Sequence, residues 1–324
     1  MAPPPVQILE SLFGILDHRV MVLMCSAGIP DALTSPLSME DLARRVKADP
    51  ERLERIVRFA VARGWLRFDR RGRVRSTRVT KFLRTDHPGG WHSWVQFAGG
   101  VEVVNSIAHL DLESGDVFAR ANSKSFFEWM RENPARWEVF DEAMSAGARL
   151  HALTVNTAMD WASVHTVCDI GGGTGEFLIG LLELQPTLNG IVFDLPEVIS
   201  RARSHPRLTP IAGDVFASVP VGCDVYVLVN VIHDWNDDDA GKIFANIATA
   251  AVEDSQVLVI DNDHLRRPRR DLATSSDVLM AALTNGGKER DQHDLRSLAE
   301  KSGLLLASSK SLASGDIVHF LKKI

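Results

Sequence analysis

After Trp161 the chain changes texture: short apolar runs closed by glycine or acid alternate with stretches at helical spacing. The runs are "HTVCDI", "GIVFDL", "LTPIAGDV", "CDVYVLVNVI", "SQVLVIDND", "LLLASSKS" and "DIVHFLKKI". Strands separated by helices return parallel to one another, because a helix-length crossover is what a parallel pair requires. The pattern therefore predicts an α/β domain over 161–324, a doubly wound, mostly parallel seven-stranded sheet with helices on both faces. Ligands of such sheets sit at the carboxyl ends of the strands.

The preceding half reads as mainly helical. "ILESLFGILDHRVMVLMCSAGIPDALTSP" has helical spacing and stops at a Gly-X-Pro signal that opens a short helix. Two more helices follow, with Ser38 and Asp49 as N-caps, Pro50 in the first helical position and Gly64 at the end. "RFDRRGRVRSTRVTKFL" then reads as a hairpin turning at Arg71 and Gly72. Three helices and a hairpin outline a winged helix over 1–90. Its arginines from Arg63 to Arg84 invite a DNA-binding reading, but "PERLERIVRFAVARGW" spends its apolar residues on packing and shows both charge signs outside. A net charge of −6 supplies no global field for nucleic acid or membrane, so no nucleic-acid or membrane partner is expected. The helical stretch 91–160 carries an aromatic and methionine stripe through Phe126, Phe127, Trp129, Met130, Trp137, Phe140 and Met144, either core or pocket lining.

The three cysteines, Cys25, Cys168 and Cys223, have neither disulfide arithmetic nor zinc spacing, so no metal is expected and a reducing compartment fits. No signal-peptide pattern or membrane-length apolar run is present, and the expected location is cytoplasmic.

Chemistry concentrates at the strand ends. The first strand runs into "DIGGGTGEF", where Asp169, Gly171, Gly173 and Gly175 open a helix. Glycines let a ligand approach the backbone there, and the helix start favours negative groups. A dinucleotide fingerprint needs glycine or alanine where Glu176 stands, so the loop suits S-adenosylmethionine, with its carboxylate and ribose, better than a pyrophosphate. Asp194 and Leu195 follow the second strand, and that aspartate can accept both ribose hydroxyls. Asp214, Val215 and Phe216 follow the third, placed for the adenine. The fourth ends in "NVIHDWNDDD": Asp237 or a neighbour caps the next helix, Trp235 walls the cofactor or holds the turn, and His233 stands beside the methyl donor.

These motifs, with "AGIPDAL", "LERIVRFAVARGWL", "FDLPEVI", "GDVFASVP", "VIHDWNDDDAGKIFANI" and "NGGKERDQHDLRSLAEKSGL", resemble the metal-independent small-molecule O-methyltransferases, the caffeate-type plant enzymes and their bacterial natural-product relatives. The resemblance covers nearly the whole chain. It implies a class I methyltransferase sheet, an N-terminal dimerisation domain and a homodimer, S-adenosylmethionine as cofactor, and an aromatic or polyketide-like hydroxylated substrate. It also implies that His233 is the general base, that Glu289 orients its ring, and that Asp261 takes the place of a second family acid that is usually glutamate. Substrate contacts map to Phe140, Met144, Met280 and Thr284.

Three other readings remain open at this level. "Asp261-Asn262" is similar to the metal pair of magnesium-dependent catechol-type methyltransferases. Family members have also exchanged methylation for other chemistry. A ligand-responsive DNA-binding regulator would use the basic wing.

Overall fold

The computed structural model describes residues 2–262 and 271–324. It divides into two compact units: Met1–Val104 with Glu138–Ala146, and Asn105–Trp137 with Gly147–Ile324. Residues 91–160 are thus shared between the units.

The first unit begins with helix Pro4–Ser26, followed by helices Ile29–Ala32, Met39–Val46 and Pro50–Ala62. Ser38 and Asp49 cap the third and fourth as their residue types require, accepting from Asp41 N–H and Arg52 N–H. Leu42, Leu53, Val57, Ala60, Leu66 and Val74 are buried together beneath them. On the exposed face of Pro50–Ala62, Arg55 and Arg58 are paired with Glu51 and Glu54 one turn earlier, which cancels charge on the helix that would read DNA. The hairpin is shorter than its sequence suggests: β1 Leu66–Phe68 pairs with β2 Val74–Ser76. The stretch "RVTKF", expected as strand, forms a helix over Arg78–Phe82 because Thr77 and Thr80 close a capping box at its start.

The second unit is built on the predicted sheet. Its strands are β3 Thr166–Ile170, β4 Asn189–Asp194, β5 Leu208–Ala212, β6 Val225–Val229, β7 Gln256–Asn262, β8 Leu304–Ser311 and β9 Asp316–Lys323. Their order is β5-β4-β3-β6-β7-β9-β8, parallel except for β9, which runs antiparallel to both neighbours. Asp263, at the end of the predicted fifth run, lies outside the described residues. The central strands are buried on both faces, which is why "TVCDI" and "VYVLV" are near-continuous apolar runs. Leu178, Leu181 and Leu182 cover one face, and Ile243, Phe244 and Ile247 the other. Winding reverses direction between β3 and β6, and a crevice for ligands belongs at their carboxyl ends.

Among the described residues, no helix is long and apolar enough to cross a membrane. Cys25, Cys168 and Cys223 are free and buried.

Candidate active site

The loop after β3 is shaped by close approaches. Gly171, Gly173 and Gly175 have positive φ, 67°, 60° and 90°, a backbone that side-chain-bearing residues rarely adopt. A Cβ on Gly172 would lie 2.6 Å from the Asp169 carboxyl group, so that glycine, overlooked in the sequence, is demanded by packing. A Cβ on Gly173 would meet nothing within 4 Å, so the loop opens there onto free space.

Asp194 closes the neighbouring side of this opening. One carboxylate oxygen accepts Gly173 N–H at 2.8 Å and the other accepts Leu195 N–H at 2.7 Å. These two bonds hold the carboxylate at the loop, and a carboxylate is the group that accepts both hydroxyls of a diol. Asp169 is 2% exposed, and its Oδ1 has no hydrogen-bond partner among the described residues. Burial, with the Asp194 charge beside it, pushes its carboxyl group well above the usual range. Open space over Gly173, an anchored diol acceptor and a buried acid short of a donor together fit an adenosyl amino acid.

Beyond β5, Asp214 accepts Phe216 N–H at 2.9 Å, a local turn past the strand end. The Val215 carbonyl accepts from the Asn246 amide at 2.7 Å. Phe216 meets Trp235 edge to face at 4.7 Å, and Phe127 stacks on the same indole at 5.6 Å. Trp235 therefore belongs to an aromatic wall that the sequence supplied from three separate segments.

His233 owes its place to the end of β6. Asn230 takes a left-handed backbone, φ 54°, while its N–H still donates to the Ile260 carbonyl at 2.8 Å. Asparagine tolerates that region better than most residues, and the chain then turns into a 3₁₀ segment, Ile232–Asp234. The helix that follows starts at Asp237, but its N-cap is Asn236, whose side chain accepts Asp239 N–H. Asp237 instead receives Lys288 at 2.8 Å and Arg290 at 2.9 Å.

Glu289 arrives from the other side. Helix Leu272–Leu283 ends at Thr284, whose hydroxyl donates to the Met280 carbonyl and accepts Gly287 N–H. A Cβ on Gly287 would sit 2.5 Å from the His233 carbonyl oxygen, so only glycine lets the two segments touch. Glu289 N–H donates to Asp277 at 2.9 Å, which fixes the backbone under its side chain. The result is a buried pair: His233 Nδ1 lies 3.0 Å from Glu289 Oε1, with side chains 11% and 0% exposed. The same Oε1 accepts the Asn262 amide at 2.7 Å. With Nδ1–H donating to the carboxylate, Nε2 carries the lone pair of the neutral ring. Nε2 is 3.6 Å from Asp234 Oδ1.

Electrostatics favour a charged ring. Burial alone would lower the imidazole, but the hydrogen bond to Glu289 and the charges of Asp234, Asp261 and Glu289 raise it to about 10. Burial acts to raise Glu289, and its contacts with His233 overcome that and hold it below the usual carboxylate range. Asp261, buried with no partner for its Oδ1 among the described residues, is pushed up to about 7 by burial, against the nearby His233 charge. Asp234 is raised to about 6, again by burial first.

The sequence assigned two acids to the ring. In the structure Glu289 touches it, Asp261 acts on it through its charge, and Asn262 reaches Glu289. Asn262, Asp234 and Arg290 were the missed members; "HDW" and "GGKER" contained two of them as immediate neighbours of the chosen residues. Phe140 packs on Phe97 at 5.2 Å and Met144 is 43% exposed, both in the first unit. Met280 and Thr284 are buried in the second.

Fold and site together define a class I methyl-transferring enzyme. A family model for the O-methyltransferase domain matches residues 104–305, and one for the O-methyltransferase dimerisation domain matches 9–86. The chain belongs to the O-methyltransferase family. It is 31% identical to a mitomycin biosynthesis 6-O-methyltransferase of Streptomyces lavendulae, over 95% of this chain and 91% of that one. Among solved structures it is similar to the mitomycin 7-O-methyltransferase MmcR, with TM-score 0.90 and 28% identity, covering 99% of this chain and 98% of that one. It is also similar to NcsB1 from neocarzinostatin biosynthesis, solved with S-adenosylmethionine and 2-hydroxy-5-methyl naphthoic acid, with TM-score 0.80 and 26% identity over 95% and 96% of the two chains.

Proposed function

We propose that this protein moves a methyl group from S-adenosylmethionine to a hydroxyl, phenolic in kind, of an aromatic or polyketide-like small molecule, with His233 as general base. The observation that carries the reading is the buried His233–Glu289 pair, set at the carboxyl end of β6 beside the crevice where the glycine loop opens. The 2-hydroxy-5-methyl naphthoic acid bound in the NcsB1 structure supports the substrate class.

Asp169, Gly171, Gly173, Asp194 and Leu195 are the residues to hold the amino acid and ribose of the cofactor; Asp214, Val215, Phe216 and Trp235 are those for the adenine. When bound, the cofactor supplies an electrophilic methyl carbon on a sulfonium. What the protein's own residues add is alignment and a place for the proton. Glu289 fixes the ring through Nδ1 and leaves Nε2 to accept the hydroxyl proton. A phenol of pKa ~10 faced with an ordinary histidine of ~6.5 is mismatched by about 5 kcal/mol for full transfer. The carboxylates around His233 raise its value to about 10, which removes that mismatch for the unprotonated ring and places its working range at alkaline pH. Met280 and Thr284, buried in the second unit, are the proposed acceptor contacts there. A homodimer is part of the proposal, supported by the dimerisation-domain match and by Ile8, Leu12 and Ile15, exposed by 61%, 65% and 71% on helix Pro4–Ser26; sedimentation tests it.

Two variants test the assignment. Alanine at His233 should abolish turnover and leave donor affinity within a few-fold of wild type, measured by calorimetry against a phenolic acceptor panel read by mass shift. Asp194→Ala should lose the donor itself. Full activity in the first, or unchanged affinity in the second, would sink the corresponding role.

A further inference from the structure

Arg290 has no part in the proton transfer just described, yet it is the best-engaged cation near it. Its side chain is 4% exposed. Nη1 donates to the Ile232 carbonyl at 2.8 Å and Nη2 to the Trp235 carbonyl at 2.7 Å. Nε and Nη2 both donate to Asp237 Oδ1, at 3.0 and 2.9 Å. These acceptors bracket His233 on both sides, and the arginine is the immediate chain neighbour of Glu289. A planar fork of fixed donors is the one side chain that can serve two carbonyls and a carboxylate at once; an ammonium has the charge but not the geometry.

We propose that Arg290 is a positioning residue for the methyl transfer: by clasping Ile232, Trp235 and Asp237 it locks the turn bearing His233 to the segment bearing Glu289, and so sets the ring in the orientation from which it takes the proton. The clasp is reinforced by Lys288 on Asp237 and by the absence of a side chain at Gly287. Without it, Glu289 remains tied to Asp277 and Asn262, but the ring is held to Glu289 by one hydrogen bond.

The inference rests on His233 acting as base. The groups facing that ring are Glu289, Asp234 and Asp261, with Asn262 and Asp277 on Glu289, and Asp237 and Lys288 on Arg290. Loosening the clasp separates His233 from the acid that most supports its charge, so the acid limb of the pH profile must move as well as the rate.

The test compares Arg290→Met, Arg290→Lys and His233→Ala with wild type, using the full chain, S-adenosylmethionine and one phenolic acceptor. For Arg290→Met, kcat should fall about 100-fold, the cost of misplacing a catalytic group by an ångström or so. Donor affinity and acceptor KM should stay within about threefold, and the acid limb of kcat should move to lower pH. The lysine variant should lie between, since it reaches one of the three acceptors, and it carries the test if the methionine variant does not fold. A wild-type limb position with kcat within about fivefold overturns the inference. So does a loss confined to donor affinity or KM. An active His233→Ala overturns the base reading instead.

Discussion

Replacing Glu289 by glutamine keeps a hydrogen-bonding side chain of the same shape beside His233 and deletes its charge. His233 stands at about 10 against an ordinary value of 6.5, which corresponds to about 5 kcal/mol of preference for the charged ring. A full charge 3.0 Å from the imidazole is worth about 5 kcal/mol at an effective dielectric near 20. The hydrogen bond to Glu289 is the largest contribution raising the ring, ahead of the charges of Asp234, Asp261 and Glu289 itself, all acting against the burial that opposes them. The sign follows directly. A base works only when unprotonated, so a raised value puts the acid limb of kcat/KM at high pH, and removing the raising charge must move it down. We expect a downward displacement of about 2 to 3 pH units. The plateau should also fall: a base about 3 units weaker than its phenol faces about 4 kcal/mol for full transfer. With half of that felt in the transition state, the plateau drops about 30-fold. The glutamine variant should consequently lose most activity at high pH, whereas near pH 7, where the wild-type ring is almost wholly protonated, the same figures put it several-fold above wild type. The assay is methyl transfer from labelled donor to a phenol of known pKa, run between about pH 6 and pH 11 with kcat/KM fitted at each point. A limb that stays in place, or moves upward, refutes the electrostatic account of this pair.

Gly287→Ala tests the close approach on which the pair depends. Its Cβ would lie 2.5 Å from the His233 carbonyl oxygen and 2.7 Å from the Asp234 carbonyl carbon, so we expect a loss of about 1–3 kcal/mol in denaturant unfolding, with kcat reduced. Wild-type stability and rate would show that the segments are not forced together there. Chelation offers a separate check: activity should survive excess EDTA, because Asn262 turns its amide to Glu289 and the proton has a protein acceptor. Loss of activity restored by magnesium would revive the metal-dependent reading.

Much of this was legible because the features are local. Glycine runs, acids closing apolar strands and cap residues carry their meaning within a few positions, and Ser38 and Asp49 cap as read. All seven strands of the large sheet fall where alternation put them. Legibility failed where contacts join distant positions. The helix start reads correctly, with Asn236 as the capping neighbour and Asp237 to Asp239 in the first turn, but nothing local shows that Asp237 is also committed to Arg290, 53 residues away. Asp261 received its role from the resemblance and acts on His233 through its charge, while the hydrogen bond to Glu289 comes from Asn262, whose amide gives no sign of its partner in sequence. "RVTKF" has strand propensity, and a threonine pair overrides it.

The last strand sets an order of events during synthesis. β9 pairs with β7 and keeps β8 outside it, matching Asp261 to Ile317 and Asn262 to Asp316. Until those residues leave the ribosome, the flank of β7 that carries the acid and the amide has nothing to pair with, and its "QVLVI" stretch is a bare adhesive edge. A nascent chain that has already folded its glycine loop is therefore still without a finished proton acceptor. Chain-terminating lesions as late as β9 should yield an enzyme that aggregates, in place of one that is merely slow.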